Sequence, residues 1–292
     1  MAMSDTSELS DLSDRSDIYA VLGHPVAHSR SPAIHAAFVE QTGQQLQYGR
    51  LLCPLDGFAI AVRSFAASGA RGCNVTVPFK VEALALAAQA SDRARLAGAA
   101  NTLRFDAEGW FADNTDGVGL VRDIEHNAGV ALAGQLVLLV GAGGAAAGVL
   151  GPLLAAGPAA VVLANRSLDK AQALAARHAD WAEQHGARLV ASSLDATGGG
   201  FGVVLNASAS SLQGDVSPVP ASVLAPGALA VDLMYGAAAR PFLVWAAAAG
   251  ATPRDGLGML VEQAAEAFWL WRGVRPATAP VLQALRQQID AA

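Results

Sequence analysis

The sequence predicts an α/β chain of two domains, the second a doubly wound sheet, with closing helices that are free to pack back on the first. Three observations carry this class. Strand-like apolar runs alternate with helical stretches almost from end to end, the pattern of parallel βαβ units. A glycine loop near the middle follows a continuous apolar strand and opens a helix. At 292 residues, 53% hydrophobic and only 15% charged, the chain has enough length and apolar surface for two cores.

Taken in order, residues 1–16 read as a disordered acidic leader, since Ser and Asp recur there without the apolar core of a signal peptide. "IYAVLGHP" reads as a strand and "SPAIHAAFVEQTG" as a helix, with Ser31 at its cap and Pro32 in its first turn. "YGRLLCP" is a strand, "GFAIAVRSFAASG" a helix, and "GCNVTVP" a strand in which Val75 and Val77 alternate. A helix is expected through "FKVEALALAAQ" with Pro78 and Lys80 in its first turn. A short helical piece at 92–96, the strand "ANTLRF" and a turn at "DNTDG" follow. A second series holds strands at 136–140, 160–164, 188–192, 203–206 and 229–233, and the chain closes with helices in "GLGMLVEQAAEAFWLWRGV" and "APVLQALRQQI". One domain is therefore expected at 17–116, rejoined by 255–292, and the other at 117–254.

Composition removes several function classes. The formal net charge is -6 and no basic run occurs, which speaks against a nucleic-acid partner. Residues 127–165 carry no Asp, Glu, Lys or Arg, yet Gly141, Gly143, Gly144, Gly151, Pro152, Gly157 and Pro158 cut the stretch into pieces too short for a bilayer. Cys53 and Cys73 form no CxxC and read as buried thiols of a reducing compartment, so the cytoplasm is the expected location. His24, His28 and His35 have no Cys or carboxylate at ligand spacing, and no metal is expected.

The loop "VGAGGAAAG" matches GxGxx(G/A) at Gly141, Gly143 and Ala146, with Gly144 an additional glycine. Glycines let the backbone turn tightly and approach a pyrophosphate, whose charge then meets a helix N-terminus. By itself the pattern also describes an ordinary tight turn; the strands on either side make it a dinucleotide loop. Where an NAD site usually places Asp or Glu, the next strand ends in "ANRSLDK". Asn165, Arg166, Ser167 and Lys170 suit a 2′-phosphate, and two cations at a helix start are unfavourable unless an anion is present. The cofactor expected is NADP.

Lys80 opens a helix against the macrodipole, which costs roughly a few tenths of a kcal/mol or more. Many such lysines merely reach solvent. A lysine whose pKa is pulled down there is useful for proton transfer, and Asp116 in "DNTDG" is the candidate carboxylate partner. An Asp-Gly pair is equally a common turn, Ser29 and Ser31 could serve only as loop and cap, and Asn101 could be a plain strand end. Gln263 shares a helical stripe with Leu260, Ala264, Ala267 and Trp271, so its amide faces protein and needs partners from the fold or from a ligand.

"SRSP", "NVTVPFK", "GAANTL", "DNTDGVGL", "GAGGA", "NRS" and "DGLGMLVEQAA" occur in the order seen in bacterial shikimate dehydrogenases, and the chain resembles that family from Tyr19 to its end. The resemblance implies reversible NADPH-dependent reduction of 3-dehydroshikimate to shikimate, in aromatic amino-acid biosynthesis, by a monomer or homodimer. It implies Lys80 and Asp116 as the catalytic pair, and Ser29, Ser31 and Tyr235 as ligands of the substrate carboxylate with Thr76 nearby. Asn101 and Gln263 would join Lys80 and Asp116 on the ring hydroxyls. Gly141, Ala142, Gly143, Gly144 and Ala145 would hold the pyrophosphate, and Asn165 to Lys170 the adenosine phosphate. Leu233 and Gly256 would lie by the nicotinamide, and Asp92 on the cofactor side. The chain departs from the pattern where many relatives carry an arginine after "GAGGA": Ala146 and Ala147 stand here, which leaves the phosphate to Arg166 and Lys170. "NATS" is Asn206-Ala207-Ser208-Ala209, and Leu233 replaces a frequent methionine. The alternatives are a quinate/shikimate enzyme using NAD and a non-catalytic NADP sensor on the same fold.

Overall fold

The computed structural model describes residues 16–208 and 217–291; the expected leader lies outside them except for Ser16, and so does Ala209. Two sheets carry the chain. The first has strands β1 (Asp17–Gly23), β2 (Leu46–Leu52), β3 (Gly72–Val75), β4 (Gln89–Ala90), β5 (Thr102–Arg104) and β6 (Phe111–Asp113), in the order β2-β1-β3-β5-β6-β4. The parallel βαβ expectation holds for β2-β1-β3, whose crossovers are helices α1 (Ser31–Thr42) and α2 (Phe58–Ala67). Beyond β3 the sheet is mixed, because β5 pairs antiparallel with both β3 and β6. The link from Arg104 to Phe111 is too short for a crossover helix and closes a hairpin through Gly109, at φ +124°.

Helix α3 (Lys80–Leu86) is shorter than "FKVEALALAAQ" predicts. The N–H groups of Ala88 and Gln89 both donate to the Trp110 carbonyl, drawing the chain into β4. Pro78 belongs to the turn before α3, closed by Phe79 N–H on the Thr76 carbonyl, and Lys80 is the first helical residue. The short helix expected at 92–96 is α4 (Asp92–Ala97). At the α1 start Arg30 is the cap residue, and Ser31 is the first residue inside. "DNTDG" is a strand-to-helix junction: β6 ends at Asp113, and Asp116 opens α5 (Asp116–Arg122), which runs on into a π-helical turn at Asp123–Asn127.

The second sheet is parallel throughout, with β7 (Leu136–Val140), β8 (Ala160–Ala164), β9 (Arg188–Ser192), β10 (Phe201–Asn206), β11 (Leu224–Asp232) and β12 (Thr252–Arg254). Its order β12-β11-β10-β7-β8-β9 is the doubly wound Rossmann arrangement, with the switch point beside β7. The bounds of β7, β8 and β9 coincide with the predicted ones. Helix α6 (Gly144–Ala155) and helices α7 (Leu168–Arg177) and α8 (Ala179–Gln184) cover one face, where Val137, Leu139, Val149, Leu153, Leu163 and Leu174 form one core. Helix α9 (Arg240–Ala248) links β11 to β12.

The last helices, α10 (Leu257–Arg272) and α11 (Ala279–Asp290), return to the first sheet. Phe268, Val261 and Leu257 pack with Ile34 and Phe38 of α1 and Tyr19 of β1, joined by Val281 and Leu285. Each fully buried Phe or Leu in that seam contributes roughly 1.5–3 kcal/mol of transfer free energy. No helix among the described residues is long and apolar enough to cross a membrane.

His35 sits in the same seam, fully buried, with neither ring nitrogen hydrogen-bonded. Burial lowers its pKa from 6.5 to about 3, against a small opposing effect of Asn74, so the folded protein keeps the ring neutral. As pH falls below about 6.5, the unfolded chain gains a proton that the folded chain refuses, and stability declines by up to about 1.4 kcal/mol per unit from this group. His35→Phe is therefore expected to flatten the loss of unfolding free energy between pH 7 and about pH 4.5 in urea titrations. His178, also lowered by burial, acts in the same direction and remains in both proteins. An unchanged slope would remove His35 as its source.

Candidate active site

Between the two sheets lies a cavity of about 310 Å³. Ser29, Ser31, Thr76, Lys80, Asn101, Asp116, Leu233, Tyr235, Gly256 and Gln263, scattered over most of the chain, all line it. The exit of β3 brings Thr76 and Lys80, the N-terminus of α5 brings Asp116, the turn before α1 brings Ser29, the first residue of α1 is Ser31, and α10 brings Gln263.

At its centre Lys80 Nζ donates to Asp116 Oδ2 at 2.5 Å, with the lysine side chain 30% exposed and the aspartate 13%. The other carboxylate oxygen accepts from Asn101 Nδ2 at 2.9 Å. Asn101 is itself fixed, because its Oδ1 accepts from the Thr115 N–H at 2.9 Å. Gln263 is held mainly by the fold. Its Nε2 donates to the Leu260 carbonyl at 2.8 Å, and its Oε1 accepts from Asn101 Nδ2 and Thr115 Oγ1, each at 3.3 Å. Both bonds to Oε1 are long, so a ligand hydroxyl can compete for that oxygen. Gly119 makes this meeting possible, since a Cβ there would lie 2.7 Å from the Gln263 Cβ and hold α5 away from α10.

One end of the cavity is lined by hydroxyls. Ser29 Oγ donates to Ser31 Oγ at 3.2 Å, and Tyr235 lines the same cavity. Burial raises the Tyr235 pKa, with Arg30 acting the other way, so its hydroxyl is a donor at neutral pH. Two further residues of this end carry no expectation from sequence. Arg30 lines the cavity, adding a fixed charge to a recognition surface that the sequence describes as hydroxyls alone. Asn74 lines it from within β3 at 6% exposure. The signal available for Asn74 was a polar residue inside an otherwise buried apolar strand.

The glycine loop forms a separate part of the site. Gly141 has φ +112° with the Ala207 backbone 3.0 Å from where a Cβ would be, so the first glycine is required. Gly143 caps α6 without a side-chain bond, and at Gly143 and Gly144 a Cβ would meet nothing within 4 Å. The exposed loop and the helix start leave an open cradle that fits a pyrophosphate. Ala142 and Ala145 lie in the same loop. Gly148, one turn into α6, lies against the catalytic end, its Cβ position 3.5 Å from Asp116 Oδ2. Ala146 and Ala147 are buried in the core behind the loop, so no cation stands there. After β8, Asn165 Nδ2 donates to the Ser167 carbonyl at 2.9 Å. Arg166 and Lys170 are exposed, and neither has an ion pair among the described residues.

Asp92 opens α4 outside this cavity, 73% exposed and paired with Arg95 at 2.8 Å, with Ser91 capping the helix. Among the described residues no group of three or more His, Cys, Asp or Glu could hold a metal.

A Rossmann-type sheet with an open phosphate cradle, joined to a second α/β unit with a polar cavity between, is the architecture of the two-domain dinucleotide-dependent dehydrogenases. Family models match along the chain: "Shikimate dehydrogenase substrate binding domain" over residues 21–103, "Shikimate / quinate 5-dehydrogenase" over 123–197, and "Shikimate 5'-dehydrogenase C-terminal domain" over 256–286. The chain is 66% identical over 282 residues to the shikimate dehydrogenase (NADP(+)) of Methylibium petroleiphilum, covering 94% of this chain and 96% of that one. Among solved structures it resembles an Ael1 enzyme from Pseudomonas putida at 46% identity and a TM-score of 0.85, covering 92% of this chain and 98% of that one. It also resembles the shikimate 5-dehydrogenase of Thermus thermophilus, solved with NADP(H) and shikimate, at 35% identity and a TM-score of 0.78, covering 93% and 99%. The chain belongs to the shikimate dehydrogenase family.

Proposed function

We propose that this protein is an NADP-dependent shikimate dehydrogenase, reversibly reducing 3-dehydroshikimate to shikimate in aromatic amino-acid biosynthesis. The observation that carries the reading is the Lys80–Asp116 pair, held by Asn101 in the cavity, with Gly148 of the Rossmann helix α6 against the Asp116 carboxylate. Bound NADPH supplies the hydride. As hydride reaches the ketone carbon, negative charge grows on its oxygen, and the Lys80 ammonium stabilises that oxygen and gives it a proton. Asp116 aims the ammonium and accepts from a neighbouring ring hydroxyl. In the oxidation direction Lys80 takes the proton back.

Asn101 and Gln263 serve the ring hydroxyls, while Ser29, Ser31 and Tyr235, with Thr76 beside them, serve the carboxylate. Leu233 and Gly256 form the wall proposed for the nicotinamide. The loop 141–145 takes the pyrophosphate, Asn165, Arg166, Ser167 and Lys170 take the 2′-phosphate, and Asp92 stands on the cofactor side. The domains run 17–116 with 255–292 and 117–254, α5 forming the joint between them. The free, buried thiols of Cys53 and Cys73 support a cytoplasmic, reducing setting, and the assembly proposed is a monomer or homodimer.

The test is reduction of NADP by the purified protein with shikimate, beside parallel assays with quinate and with NAD. A clear preference for quinate with NAD would overturn the reading. NADP binding without turnover of either acid would make the protein a sensor. Arg166→Ala is expected to raise the Michaelis constant for NADPH about tenfold or more, with turnover within about twofold, since a charge-assisted bond to phosphate is lost. An unchanged constant would assign the phosphate to other groups.

A further inference from the structure

We propose that Tyr48 and Arg50 are positioning residues that set the preference of the cavity for a carboxylate-bearing ring. The inference rests on reading the hydroxyl-lined end as the carboxylate site. Both side chains belong to β2, two residues apart and hence on one face of the strand. Each reaches a different wall of that end.

Tyr48 acts through Asn74. The Asn74 Nδ2 donates to the Asn101 carbonyl at 3.2 Å and to Thr102 Oγ1 at 3.0 Å, which fixes the orientation of the amide. Its Oδ1 therefore faces the Tyr48 hydroxyl, which donates to it at 2.6 Å. Ser31 also interacts with the same hydroxyl. His35 stacks on the tyrosine ring at 4.0 Å and 10°, holding its plane. Without the hydroxyl, the Asn74 carbonyl would be a bare acceptor in the wall of an anion site. It would repel a carboxylate and leave a neutral ligand almost unaffected.

Arg50 acts through the backbone. Its Nη2 and Nε both donate to the Ser29 carbonyl, at 2.6 and 3.1 Å. This clamp holds the turn that carries Ser29, and it engages a carbonyl oxygen that would otherwise add negative potential beside the bound anion. Arg30 of the same turn lines the cavity, so β2 supports a segment that brings both hydroxyls and positive charge to the ligand.

The readout is the ratio of kcat/KM for shikimate to that for its primary amide, measured on the full chain with NADP. A merely structural role would lower both substrates alike. Tyr48→Phe and Arg50→Met are each expected to lower this ratio about fivefold or more, chiefly through KM for the acid, while KM for NADP stays within about twofold. Arg50→Lys keeps the charge without the two-pronged clamp and is expected to fall between wild type and Arg50→Met, which covers the case of a poorly folding methionine variant. An unchanged ratio in Tyr48→Phe and Arg50→Lys, or an equal loss for acid and amide, would overturn the proposal and leave the dehydrogenase reading intact. A wild-type protein that does not oxidise shikimate would overturn that parent reading, and this one with it.

Discussion

Lys80→Ala is expected to lower turnover by about 10²- to 10⁴-fold, with the affinity for NADP within about twofold of wild type. The ammonium is placed for charge that exists only in the transition state, so its removal is read in kcat. Asp116 is not left bare by the change, because Asn101 still donates to its Oδ1 and the site is open enough for water to replace the lysine at Oδ2. The fold therefore survives, which a melting temperature within a few degrees of wild type would verify. NADP affinity by fluorescence titration tests the second half, since the glycine loop and Arg166 lie on the other sheet. Lys80→Arg keeps a cation but not a proton that can be released near neutral pH, so it is expected to remain impaired. Turnover within about fivefold of wild type in Lys80→Ala would remove the lysine from the chemistry.

The parts of the molecule that are readable in sequence share a physical trait: local residues alone determine them. β7 and β8 are continuous apolar runs ended by a glycine turn or a polar helix start, and their bounds follow from that alone. β12 is "TPR", three residues with a proline and no alternation; it becomes a strand because β11 offers it an edge. β4 and β6 likewise exist through their partners, as two- and three-residue pieces joined to each other and, through β6, to β5. The same division runs through the site. Lys80 stands out as a residue ill suited to its local position, whereas its meeting with Asp116 across 36 residues is a tertiary fact. Arg30 looks locally ordinary in a surface turn, and only the cavity gives it a role, whereas Asn74 is marked by its polarity within a buried strand.

Arg254→Ala is expected to show the largest loss of stability, about 3–5 kcal/mol in urea unfolding, with turnover at low temperature reduced less than about tenfold. Arg254 ends β12 and grips Asp123 with two donors, Nε to Oδ2 at 2.6 Å and Nη2 to Oδ1. Asp123 is fully buried at the start of the π turn that continues α5, and it also accepts from Asn127 Nδ2 at 3.0 Å. Gly258 lets α10 close over the pair, since a Cβ there would stand 1.7 Å from Asp123 Oδ1. Taking the arginine away leaves a carboxylate enclosed on every side, a far greater penalty than losing an exposed bridge. The same helix carries Asp116 at its other end, so the pair ties the Rossmann edge to the catalytic helix without touching the cavity. Asp123→Ala combined with Arg254→Ala removes both charges and is expected to be less damaging than the sum of the two single changes. A loss below about 1 kcal/mol in Arg254→Ala would mean that Asp123 finds water or a new partner when the arginine is gone. Measured beside Lys80→Ala, the two variants should fall on opposite axes, one losing chemistry with its fold intact and the other losing fold with its chemistry largely intact.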